Sequence, residues 1–114
     1  TAVGYQALTA QTGTTGTVGN TAVGYQAAAA LTSATSTTAI GYKAGGTGTM
    51  TGSDNTLIGR AAGYALAGGD SNTIVGFEAG VATTAGTNMT IIGRRAGYAN
   101  LESGAAGTVA LGYE

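Results

Sequence analysis

Apolar residues in this chain come as short pairs, each preceded by Thr and closed by Gly. The pattern runs through Thr1-Ala2-Val3-Gly4, Thr21-Ala22-Val23-Gly24, Thr38-Ala39-Ile40-Gly41, Thr56-Leu57-Ile58-Gly59, Thr73-Ile74-Val75-Gly76 and Thr90-Ile91-Ile92-Gly93. A looser seventh copy is Val109-Ala110-Leu111-Gly112, and Thr1 to Ala7 recurs letter for letter as Thr21 to Ala27. The closing glycines, Gly4, Gly24, Gly41, Gly59, Gly76, Gly93 and Gly112, are 20, 17, 18, 17, 17 and 19 residues apart. A period this short cannot hold the helix pair of an α-solenoid, which needs roughly 33 residues, but it suits one coil of a β-solenoid or parallel β-roll. β-branched Thr, Val and Ile favour a strand in each copy, and stretches such as Gly45-Gly46-Thr47-Gly48 and Gly68-Gly69-Asp70-Ser71 read as turns. The prediction is an all-β array of about seven 17–20-residue coils covering residues 1–114. Ala27 to Leu31 has helical propensity, but it lies inside a repeat, so it is assigned to strand or loop.

Stacked coils turn equivalent residues into columns about 4.8 Å apart, so the six intervals give a rod of about 29 Å. The residue before each Gly (Val3, Val23, Ile40, Ile58, Val75, Ile92, Leu111) is always a large aliphatic and is assigned to the core. The residue before that points to the other face of the strand. It too is apolar: Ala2, Ala22, Ala39, Leu57, Ile74, Ile91 and Ala110. A narrow coil buries one face of its strand, so the second apolar column calls for a covering partner, most simply copies of the same chain in a homotrimer. The Gly column serves either close backbone approach or a positive-φ kink.

An aromatic column follows the glycines: Tyr5, Tyr25, Tyr42, Phe77 and Tyr113. Where Arg60 or Arg94 takes that place, Tyr64 or Tyr98 appears four residues later. Arg60, Phe77 and Arg94 from consecutive coils are placed to stack as cation–π contacts, and Glu78 to pair with Arg95. The column is read as ring packing on the rod surface or at an oligomer seam, with a sugar-binding stripe as the alternative.

Composition narrows the chemistry. With 22 Gly, 43% hydrophobic and 8% charged residues in 114, the chain is apolar but built of small side chains around a thin core. Four basic and five acidic residues give a net charge of -1, which offers no footprint for nucleic acid, and no apolar run is long enough to insert in a membrane. Zero Cys and zero His remove thiolate nucleophiles, the commonest general base and the commonest metal ligands, so no enzyme activity, catalytic residue, cofactor or metal is expected.

Several local motifs point to other chemistries, each weakly. Gly52-Ser53-Asp54-Asn55 and Gly69-Asp70-Ser71-Asn72 are similar to Ca²⁺-binding β-roll nonapeptides, yet Asp54 and Asp70 are too few to ligate in every turn and fit Asx turns instead. A calcium-stabilised roll, with Asp54 and Asp70 as its carboxylates, is the functional alternative this leaves. Ser53-Asp54-Asn55 lacks the companions of a β-lactamase site, and Gly46-Thr47-Gly48 lacks those of a phosphate loop. Asn88-Met89-Thr90 is a formal glycosylation sequon inside the repeat, and the Thr column, flanking a pair read as buried, is ascribed to sheet propensity rather than ice binding.

The repeated Thr-Ala-Val-Gly-Tyr-Gln-Ala, with Asn20, Asn55 and Asn72 before the Thr, resembles the Asn-Thr-Ala-Val-Gly-Tyr-Gln-Ala-Leu repeats of bacteriophage tail-fibre proteins. In pattern it is also similar to the Asn-Ser-Val-Ala-Ile-Gly head repeats of trimeric autotransporter adhesins, best at Thr108 to Gly112. The coils here are longer, and most copies carry Thr where the adhesin motif has Ser. The resemblance covers nearly the whole chain. It implies a shaft or head segment of a homotrimeric extracellular or virion-surface fibre that presents a receptor-binding region for host attachment, with a host glycan or receptor as a further partner. The alternative it implies is a trimeric autotransporter-type bacterial adhesin head that binds host matrix or glycans. Because the chain opens and closes on a repeat without polar caps, the array is expected to continue beyond both ends.

Overall fold

The computed structural model describes residues 1–12, 18–46, 48–99 and 106–113. Seven strands form one sheet: β1 (Ala2–Val3), β2 (Thr21–Val23), β3 (Thr38–Ile40), β4 (Thr56–Ile58), β5 (Thr73–Val75), β6 (Thr90–Ile92) and β7 (Val109–Leu111). Each strand pairs in parallel with the next, in chain order, and the register lays repeat on repeat: Thr56 on Thr73, Leu57 on Ile74, Ile58 on Val75. Neighbouring strands that are parallel and consecutive require the chain to make a full circuit between them. The protein is therefore a β-solenoid of about six turns, with principal extents of 35 × 25 × 17 Å. No helix occurs among the described residues. Residues 25–30 form turns, and Leu31 bridges in parallel to Met50 one coil on.

The core assignment made from the pattern is inverted. Ala22, Ala39, Leu57, Ile74 and Ile91, two residues before the glycines, are fully buried inside the coil. The residues directly before the glycines face outward; Ile40 is 37% exposed, Ile58 36%, Ile92 42% and Leu111 69%. The reason is strand parity. Asn20, Asn55 and Asn72 stand four residues before their glycines and are buried, so the position two residues on must also face in.

Those asparagines form an internal ladder. Asn72 Oδ1 accepts from the Met89 amide of the next coil at 2.9 Å, and Asn72 Nδ2 donates to Gly86 O at 2.8 Å. Asn55 does the same with the Asn72 amide (3.0 Å) and Gly69 O (2.8 Å), and Asn20 with the Thr37 amide and Ala34 O (both 2.8 Å). Each amide thus satisfies backbone groups where the loop makes no strand pair, which removes the cost of burying it. The opposite corner holds an alanine column, Ala27, Ala44, Ala62, Ala79 and Ala96, all buried.

The glycines after each strand serve both expected purposes at once. Gly24, Gly41, Gly59, Gly76 and Gly93 have φ between 130° and 139° or within a degree below it (Gly59, φ 129°), a region costly for any L-residue with a Cβ. A Cβ on Gly59 would also stand 2.5 Å from Gly76 O. Past the kink, the amide three residues on donates back to the glycine carbonyl (Ala62 N to Gly59 O, 3.3 Å), closing a turn whose third residue has positive φ, as in Lys43 (54°) and Ala61 (55°).

Candidate interaction surface

The strand and the kink place two apolar columns side by side on the outside of the rod. Among the described residues, every exposed large hydrophobic except Tyr98 and Val109 belongs either to the aliphatic column before the glycines or to the aromatic column after them. The outward Thr residues of the strands border the aliphatic column, because positions two apart share a face. The Thr and aliphatic columns therefore lie together on the outer face, and the pair behind each Thr is not buried as a pair. An apolar strip running the length of a small protein marks an interaction surface.

The aromatic column is continuous. Tyr5 and Tyr25 stack with centroids 5.4 Å apart, and Tyr25 and Tyr42 at 5.3 Å. Arg60 then lies between Tyr42 (5.7 Å) and Phe77 (5.0 Å), and Arg94 between Phe77 (5.5 Å) and Tyr113 (5.0 Å). Each cation–π contact at such an exposed site is worth about 0.5–1 kcal/mol. Glu78 accepts from Arg60 at 2.9 Å and from Arg95 at 3.2 Å, so the pairing expected with Arg95 forms and a second joins it. Arg95 also covers the Tyr98 ring at 4.3 Å. Arg60 is exposed while Glu78 and Arg95 are half-buried, so these surface ion pairs are screened by solvent and add little stability, below about 1 kcal/mol each.

All four Lys and Arg residues of the chain, Lys43, Arg60, Arg94 and Arg95, fall one or two positions after a glycine and so share this corner of the rod. A cavity of about 270 Å³ opens there, walled by Tyr42, Lys43, Arg60, Tyr64, Glu78 and Val81, with Ala61 among its lining residues. Its origin is one small residue. The column two after the glycines reads Gln26, Lys43, Ala61, Glu78, Arg95, and Ala61 leaves a gap between long polar neighbours. The register that makes the gap visible depends on the coil pairing, so the sequence alone did not expose it.

No family model, curated protein or solved structure matches the chain.

The remaining sequence candidates are distributed away from this corner. Asp70 Oδ1 accepts from the Ser53 amide of the previous coil at 2.7 Å, which ties two loops together as a turn residue does. Asp54 and Asn88 are exposed at positive φ, 59° and 55°. Among the described residues no group of three or more His, Cys, Asp or Glu is close enough to hold a metal ion. Thr47 of Gly46-Thr47-Gly48 lies outside the described residues. No helix among the described residues is long and apolar enough to cross a membrane.

Proposed function

We propose that the chain is a structural segment, shaft or head, of an elongated homotrimeric fibre on a virion or cell surface, which carries a receptor-binding region toward a host. It works by mechanical presentation and performs no catalysis. The observation that carries this reading is the outward column of Val3, Val23, Ile40, Ile58, Val75, Ile92 and Leu111, unbroken along a coil whose smallest extent is 17 Å. Covering such half-exposed aliphatic side chains is worth about 1 kcal/mol each, and three copies around an axis cover all of them by symmetry. Charged residues are depleted in interface cores, so the Lys43/Arg60/Arg94 corner belongs at the rim of that assembly and stays in solvent.

Ile58→Glu tests the assembly separately from the fold. Its side chain points outward, so the substituted coil keeps its β signature in circular dichroism, while the assembled species dissociates by at least tenfold in sedimentation equilibrium. An Ile58→Glu protein that assembles like the parent rules this column out as the contact. A second reading, an autotransporter-type adhesin head that itself holds host glycans, is supported by the cationic, aromatic corner and its cavity.

A further inference from the structure

We infer that the cavity above Ala61 is a binding site for one carboxylate-bearing pyranose residue of an acidic polysaccharide, with Lys43 taking the carboxylate and Glu78 accepting from ring hydroxyls. This deepens the adhesin reading and is independent of the trimer, because every lining residue belongs to one chain. Three features of the corner select this ligand class.

The first is charge. Lys43, Arg60, Arg94 and Arg95 share the corner with Glu78, the one carboxylate there among the described residues, on a chain whose net charge is -1. Concentrating every Lys and Arg of a slightly acidic protein along one corner selects an anion. The second is the state of the rings. Tyr42 lies between Tyr25 and Arg60, and Phe77 between Arg60 and Arg94, so their faces are already occupied. What the column offers a ligand is the edge of the tyrosine, the guanidinium and the ammonium, which suits hydrogen bonding to an anion better than stacking on a neutral sugar face.

The third feature is size and spacing. At about 270 Å³ the cavity is smaller than the roughly 300–1,000 Å³ that encloses a drug-sized ligand. It suits a single ring, and its open side lets a chain continue along the rod. Lys43 and Glu78 lie two coils apart, about 9.6 Å, and a pyranose residue lying over Ala61 presents its carboxylate to one and its hydroxyls to the other. A phosphodiester strand fits the pair less well, because the Glu78 carboxylate in the cavity wall repels phosphate where it would accept from a sugar hydroxyl.

Titration calorimetry of the intact chain with tetragalacturonate, its fully methyl-esterified counterpart, sialyllactose, lactose and an oligothymidylate tests the site. The expected result is binding of tetragalacturonate, sialyllactose or both, with each neutral counterpart at least tenfold weaker; the acid that binds tells a hexuronate from a sialic acid. Ala61→Gln fills the gap with the residue type that Gln26 already places in this column at positive φ (52°), so the coil is retained, as thermal melting verifies. Ala61→Gln is expected to weaken binding at least tenfold, and Lys43→Gln by about tenfold, the equivalent of one charge-assisted hydrogen bond. Light scattering on the same samples reports assembly separately. Wild-type affinity in folded Ala61→Gln, equal affinity for acid and ester, no binding of either acid, or tighter binding of an oligothymidylate each overturns the assignment.

Discussion

Gly59→Ala is expected to unfold the isolated segment or bring it close to unfolding. The added Cβ meets Gly76 O at 2.5 Å and Gly76 C at 2.7 Å, both backbone atoms of the next coil, and the residue sits at φ 129°. Strain and clash together cost roughly 3–5 kcal/mol, against a total stability of roughly 5–15 kcal/mol for a domain of this kind. The neighbouring coil cannot move away without breaking the Gly76 N to Ile58 O hydrogen bond of 2.8 Å. Gly68→Ala is the matched control, since a Cβ there meets nothing within 4 Å, and it is expected to change stability by less than about 0.5 kcal/mol. Denaturant midpoints of the two variants check the argument; equal midpoints for Gly59→Ala and the parent contradict the close-packed glycine column.

Asn72→Ala is the second large effect. It strips the Met89 amide of its acceptor and Gly86 O of its donor, at a site that is 1% exposed, at a cost of about 2–4 kcal/mol. Asn72→Asp sharpens the test. The carboxyl keeps an acceptor for Met89 N but, when ionised, faces Gly86 O with no proton to give, so burial raises its folded pKa above the unfolded carboxyl value of about 3.9. A raised folded pKa means the native state holds the proton more tightly. Stability is then fully present below the unfolded pKa and is lost as pH rises through the folded one. Asn72→Asp is expected to melt higher at about pH 4 than at pH 7 relative to the parent, whereas Asn72→Ala is equally destabilised at both. A pH-independent Asn72→Asp melt contradicts the donor role.

The repeat, the parallel coil and the ladder of rings and guanidinium groups are legible in the sequence because columns follow directly from period. Arg60, Phe77 and Arg94 stack as their spacing requires. Strand parity is harder to read, since Leu57 and Ile58 are both large and apolar and either can face in. The resolving signal is Asn55, two residues ahead of Leu57, whose polarity looks like a surface residue until its hydrogen bonds to Asn72 N and Gly69 O are counted. The conclusion that one apolar column lies outside survives the exchange of columns, and the column left outside carries the larger side chains. The cavity above Ala61 is hidden for a different reason: Ala61 is an ordinary small residue along the chain and becomes a gap once Lys43 and Glu78 are laid on either side of it.

Assembly through the outward aliphatic column is the central claim, and the mass of the purified segment in dilute solution tests it most directly. Multi-angle light scattering is expected to give three times the 10.9 kDa of one chain, unchanged by a calcium chelator. A mass of one chain at micromolar concentration, with the β signature intact, contradicts the trimeric fibre, and loss of structure on chelation transfers the account to a calcium-stabilised roll.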